Sequence, residues 1–258
     1  MGIITVDANQ IVLFFLVFLR VTAILMTLPI FDSPAIPALA KIGLALATAL
    51  LVFPVVRQGQ GIAADRLVPL VFAAAEQVAV GVVIGMAVRI VFAGFQMAGQ
   101  LAGFQMGIAI ANVLDPATSD QVPLLAQYNQ ILAMLLFVAL DAHHMLIKAM
   151  VDSFAMVPLL GFAPAPGLVG RFVALGANVF VTAIKVGAPV IVVLLLVNVA
   201  MGLIARTVPQ MHIFVVATPV AAVIGLLFFG FSFPFAAVFF KQAFVDLGTE
   251  VYHLLKLM

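Results

Sequence analysis

The sequence predicts an all-α fold, embedded in a membrane or in a membrane-bound assembly. Three observations carry that prediction. Of 258 residues, 66% are hydrophobic and only 8% are charged, whereas soluble domains carry about 25% charged residues. The apolar residues fall in charge-poor runs, several of them near the roughly 20 residues that a helix needs to cross the hydrocarbon. Proline clusters between the runs and also falls inside them, so kinked, short and broken helices are expected. In lipid the carbonyls freed by such breaks need partners from neighbouring helices or a wet cavity. A net charge of +1 leaves no electrostatic footprint for nucleic acid. With no cysteine, disulfides and thiolate chemistry are excluded.

The first run, 8–31, is interrupted by Arg20 and has no basic segment before it, so it reads as a retained helix and not as a cleaved signal peptide. "PIFDSPAIP" at 29–37 connects it to a short run at 42–56, which Lys41 precedes. Next come 67–88, carrying Glu76, and 90–114, set off by Arg89. In "LDPATSDQVP" at 114–123, Asp115 before Pro116 ends a helix. Asp120 can cap the following helix, with Pro123 in its first turn. The run 121–140 leads into "LDAHHMLIKAMVDSF", 140–154. There Asp141, His144, Lys148 and Asp152 form one polar edge at helical spacing, and Leu140, Ile147, Met150, Val151 and Phe154 fill much of the rest, which predicts an amphipathic helix. After "PLLGFAPAPG" at 158–167, the run 172–205 contains Lys185 and Pro189. "RTVPQMH" at 206–212 precedes 213–240, with Pro219 and Pro234 inside it. Lys and Arg are spread over the loops without a bias that would orient the chain. Trp is absent and only two Tyr occur, which suits a surface covered by protein better than one with an aromatic belt at the headgroups.

"GFQMAGQLAGFQMG", 94–107, is the polar anomaly of the chain. At about 100° per residue, Gln96, Gly99, Gln100, Gly103 and Gly107 share one arc, and Arg89, Gly85 and Gly81 continue it backwards. Gln105 and Gly94 fall on the opposite side. Gly99, Gly103 and Gly107 repeat at the four-residue spacing that lets membrane helices pack backbone to backbone. Intramembrane packing is the ordinary reading of such a strip. A polar path or a subunit contact is the functional one, and Arg89 favours it because ionisable residues in spans face a bundle interior or cavity.

Arg20, Glu76, Lys185 and Arg206 are candidate buried charges, and buried charges need partners. Arg20 with Glu76 and Glu76 with Lys185 are both open pairings. Snorkelling to the interface is the plain alternative, and it suits Lys41 and Arg206 better than Glu76. Adjacent histidines cannot share a helix face and no HExxH occurs, so neither a zinc site nor any other metal site is expected at His143 and His144. No nucleophile elbow, phosphate loop or dinucleotide fingerprint is present, and no catalytic residues can be assigned. An enzyme is not expected, nor a cofactor.

In order along the chain, "FLR" with Arg20, "LPIF" with Pro29, "IP" with Pro37, Glu76, "GFQMG" at 103–107, "DP" at 115–116, "LDAHHMLIKAMVDSF" and "VPQMHIF" at 208–214 resemble the FliR/SctT family of type III secretion export gates. The resemblance covers essentially the whole chain. It implies a structural, channel-forming subunit of the flagellar export gate in the bacterial inner membrane, at the flagellar basal body. The implied partners are FliP and FliQ homologues in a helical ring, FlhB around the entrance, FlhA below, and the unfolded flagellar proteins that thread the channel. Residues from 1 to about 170 would be the FliP-like part, and those from about 171 to 258 a FliQ-like hairpin and tail. By position the plug of the closed gate would be the loop 106–122, with Met106, Gly107, Asn112, Asp115 and Pro116 as its candidate residues. The glycines then read as close packing against adjacent gate subunits. Ala142 in place of Gly, His212 in place of Asn, and the lack of Gly and Lys around Pro219 are departures from the family pattern. A virulence injectisome subunit and a secondary transporter of small solutes are the alternatives. The transporter would need an internal repeat with matching breaks, and none is found.

Overall fold

The computed structural model describes residues 8–31, 36–56, 67–108, 123–207 and 213–258. Among these residues there are eight α-helices, one 3-10 turn at Pro29–Phe31, and no strand. The helices are α1 (Ala8–Thr27), α2 (Ala38–Val56), α3 (Leu67–Gln105), α4 (Leu124–Ala139), α5 (Ala142–Met156), α6 (Gly167–Thr207), α7 (Ile213–Phe231) and α8 (Phe233–Lys256). The fold is all-α. By length and composition α1, α2, α3 and α6 can each cross a membrane, and the broken pairs α4–α5 and α7–α8 raise the number to six among the described residues.

Two of the expected boundaries fall differently. The run 67–88 and the part of 90–114 up to Gln105 are one helix, α3, of 39 residues. Arg89 interrupts the apolar pattern but not the helix, because Arg is a good helix former. The stop comes at Gly107, whose φ of 76° is the left-handed conformation that ends many helices. Conversely, 213–240 is not one helix. It divides at Ser232, and Pro234 lies in the first turn of α8, where its missing N–H leaves nothing unpaired. Pro54, Pro189 and Pro219 all lie inside helices. Pro123 stands just before α4 and its carbonyl accepts the N–H groups of Ala126 and Gln127. The expected cap at Asp120 lies outside the described residues.

At 1.5 Å per residue, α3 and the 41-residue α6 are about 59 and 62 Å long. The hydrocarbon is about 30 Å thick, and a tilt of about 60° would be needed to fit either helix inside it. Membrane helices tilt by up to about 40°. Part of each helix must therefore be covered by something other than lipid tails.

The chain forms two compact units. The first holds the described residues up to Ile90, with Asp141–Ala174 and Val245–Met258. Its core includes a stripe on α1 of Leu13, Leu16, Val17, Val21 and Ile24, at helical spacing, and α1 packs on α2, where Phe14 meets Phe53 edge to face at 5.5 Å. Helix α5 is amphipathic as expected but buries Ala142, Leu146, Ala149, Met150, Ser153 and Phe154; of the expected apolar face only Met150 and Phe154 are buried, while Leu140 and Ile147 are exposed. The C-terminus is tied in: the carbonyls of Met258 and Leu257 accept the N–H groups of Ala163 and Ala165 at 2.7 and 2.8 Å. Arg171 Nε donates to Glu250 at 2.8 Å, and the Tyr252 hydroxyl donates to Asp152 at 2.6 Å.

The second unit holds the described residues of Val91–Leu140 and Leu175–Phe244. Its core is aromatic. Phe95 stacks on Phe240 at 3.9 Å, Phe92 meets Phe137 at 5.6 Å, and Phe137 meets Phe244 at 5.3 Å. Full burial of one such ring contributes about 1.5–3 kcal/mol, and each well-oriented pair about 0.5–1.5 kcal/mol more. Helix α6, in contrast, leaves large apolar side chains such as Val173, Phe180, Ile184, Leu195, Val199 and Leu203 uncovered along its length.

Candidate functional site

The glycine strip of α3 is a set of close approaches within the chain. A Cβ on Gly81 would stand 2.6 Å from Ala23 Cβ and 2.8 Å from the Arg20 carbonyl oxygen. One on Gly85 would stand 2.6 Å from Thr27 Cβ. Here α3 lies against the backbone of α1. In the second unit, a Cβ on Gly99 would stand 2.7 Å from Ala126 Cα and would also collide with the Leu125 carbonyl oxygen. Only glycine lets α3 and α4 approach this closely. On the opposite side, Gly94 faces Thr182 and Val179 of α6, and Gly187 of α6 faces the Ala98 carbonyl. The neighbours of Gly81, Gly85 and Gly99 thus belong to this chain, where packing against adjacent subunits was expected. Gly103 differs: its nearest neighbour is Leu125 Cδ1 at an ordinary 3.8 Å. Gln96 and Gln100 are half-buried, and Arg89 is exposed. Gln105 keeps its Oε1 shielded and without a hydrogen-bond partner.

The strip runs into the stem of the candidate plug loop. Met106 is fully buried with Ala102, Leu125, Val190, Leu194 and Ala221. Its side chain lies over Gly225 of α7, where a Cβ would stand 2.6 Å from Met106 Cγ. Met106 N–H still bonds to the Ala102 carbonyl at 3.0 Å, and Gly107 then turns the chain. Met106 is thus held among α4, α6 and α7. Asn112, Asp115 and Pro116 lie outside the described residues.

Of the candidate buried charges, Arg20 is fully buried. Its partner is not Glu76. Arg20 Nε donates to Gln77 Oε1 at 2.7 Å, one terminal nitrogen to the Ser153 carbonyl at 2.9 Å and to Ser153 Oγ at 3.3 Å, and the other to the Val157 carbonyl at 2.9 Å. The guanidinium also lies 4.3 Å from the centroid of the Phe154 ring. Gln77 passes the network on, donating to the Leu159 carbonyl at 2.8 Å. Successive residues on a helix point about 100° apart, so only one of Glu76 and Gln77 can face α1, and it is Gln77. Glu76 is half-buried, with Oε2 lacking a hydrogen-bond partner. Lys185 and Arg206 are exposed in the single chain, on the uncovered surface of α6. Gln77, Ser153 and Asn129, whose side chain donates to the Phe95 carbonyl at 3.2 Å, are buried polar residues that the sequence reading missed. The available signal was position, since Arg20 and Ser153 each sit on the apolar stripe of their helix.

The second unit also contains a cavity of about 270 Å³, lined by Tyr128, Asn129, Gly187, Phe229, Ser232 and Phe240 among others. It has no arrangement of nucleophile, base or paired carboxylates. What the described geometry provides is a set of tightly packed helices, a buried Met106, one buried cationic node and a long apolar surface awaiting cover.

These features are those of an all-α chain whose apolar helices are long enough to cross a membrane, and sequence comparison shows its family. The chain belongs to the family "Bacterial export proteins, family 1", whose model matches residues 11–247. Among curated relatives, it is 33% identical to the flagellar biosynthetic protein FliR of Pectobacterium carotovorum subsp. carotovorum, over 96% of this chain and 92% of that one. It is 34% identical to the FliR of Bacillus subtilis over 83% of each chain. The FliR of Escherichia coli is 32% identical over 94% of this chain and 91% of its own.

Proposed function

We propose that this chain is a structural, channel-forming subunit of a flagellar type III protein export gate in the bacterial inner membrane. The observation that carries the reading is near full-length similarity to proteins named for flagellar biosynthesis. Two structural features support it. The lengths of α3 and α6 call for cover beyond lipid, and α6 offers an apolar surface for neighbouring subunits. In this reading FliP and FliQ homologues pack on that surface, FlhB surrounds the entrance, FlhA lies below, and unfolded flagellar proteins pass through. Residues to about 170 form the FliP-like part and the remainder the FliQ-like part. The compact units cut across that boundary, because the first unit includes Val245–Met258. The loop that starts at the Met106–Gly107 stem acts as the plug.

Two experiments test this. A deletion strain should lose its flagella and regain them with this gene, and the chain should co-purify with FliP and FliQ homologues in a complex of fixed composition. A motile deletion strain, or a discrete stable monomer with no affinity for those partners, would overturn the proposal. Deleting residues 112–119 in the assembled gate should increase leakage of small ions, and unchanged permeability would remove the plug role alone.

A further inference from the structure

The junction between α4 and α5 brings together three metal-ligating residues. A carboxylate oxygen of Asp141 and one ring nitrogen each from His143 and His144 lie within 4.8 Å of one another. Successive helical positions point about 100° apart, but side-chain rotamers can still bring adjacent imidazoles together. Here the two imidazoles lie with centroids 4.1 Å apart and planes tilted by 35°.

Asp141 is also unusual. It precedes α5, where an Asp ordinarily caps the first N–H groups, yet it makes no side-chain cap bond. It has the left-handed backbone conformation, φ 56° and ψ 21°, the one non-glycine positive φ among the described residues. Its carboxylate faces His144 Nδ1 at 3.2 Å. A separate observation concerns His143, whose Nδ1 is shielded from solvent and has no hydrogen-bond partner. A nitrogen in that state lacks the ligand or hydrogen bond that ordinarily satisfies it.

We propose that Asp141, His143 and His144 form a binding site for one divalent transition-metal ion. Bond lengths of about 2.0–2.2 Å place such ligands about 3.3 Å apart. Side-chain rotation of exposed Asp141 and His144 and of half-buried His143 closes the remaining distance. Imidazole and carboxylate donors select Zn²⁺, Ni²⁺ or Cu²⁺ over Mg²⁺ and Ca²⁺. The Asp141 charge offsets the positive end of the α5 dipole, which would otherwise repel a cation. Three protein ligands leave a position for water or a further donor.

The test uses the full chain in detergent, purified through a tag without histidine. Co²⁺ binding is followed by visible absorption, and Zn²⁺ by competition. One ion per chain is expected, undisplaced by excess Mg²⁺. His143→Ala and Asp141→Asn should each weaken binding by roughly tenfold or more, a scale at which even outer-shell partners act. Asn tolerates the left-handed conformation as Asp does, so Asp141→Asn keeps the turn and separates lost ligation from misfolding. Substoichiometric binding, an unchanged affinity in Asp141→Asn, or binding that survives in the double variant His143→Ala/His144→Ala would overturn the proposal.

Discussion

In one unit of the chain the largest fully buried side chain is a cation, Arg20, bonded to oxygens of Gln77, Ser153 and Val157. In the other it is a stack of phenylalanines, Phe95 on Phe240, beside glycines that let helices touch. The difference shows two ways of fixing helix positions where both solvent and neighbour are apolar. Hydrophobic burial discriminates poorly between helix registers in lipid, because lipid tails are as apolar as the core. A guanidinium with fixed acceptors allows one register of α1, α3 and α5. A glycine against a backbone allows one close approach, and any side chain there spoils it.

Breaking the polar core should have the largest effect. Arg20→Leu leaves Gln77 Oε1 and the Ser153 and Val157 carbonyls without the donor they have now. The expected loss is roughly 3–5 kcal/mol, read as a fall in chain abundance and in the melting midpoint of the purified assembly. Arg20→Lys should recover only part of it, because an ammonium cannot reproduce the planar fork. In the second unit, Gly99→Ala should come next, at about 1–3 kcal/mol from overpacking against Leu125 and Ala126 in the same melt. Asn129→Leu removes one neutral hydrogen bond to Phe95 and should lose about 0.5–1.5 kcal/mol. Gly103→Ala should be smallest, within about 0.5 kcal/mol of wild type, because its nearest neighbour is at van der Waals distance. Equal effects of Gly99→Ala and Gly103→Ala would refute the backbone-contact account of the strip. A mild Arg20→Leu would refute the node.

The all-α class, the amphipathic α5 and the shared arc of Gly81, Gly85 and Gly99 were legible because composition and period 3.6 depend on local sequence alone. The length of α3 was not legible from charge-free runs, since a single Arg marks a change of surroundings and not a change of backbone, but the arc drawn through Gly81, Gly85, Arg89 and Gln96 does treat it as one helix. Nor was the partner of Arg20. Pattern places Glu76 and Gln77 side by side, and opposite charge favours Glu76, but the rotation of α3 against α1 decides, and that is a tertiary property. The glycine strip is uniform on a wheel, yet Gly99 lies against the α4 backbone at Leu125 and Ala126 whereas Gly103 is reached only by the Leu125 side chain.

The 41 residues of α6 have a consequence for how the chain is made. Insertion machinery responds to a segment of about 20 predominantly apolar residues as it emerges, and α6 is about twice that length, with Lys185 near its middle. One bilayer thickness of α6 is enough to insert, and the remainder of its length extends past the hydrocarbon.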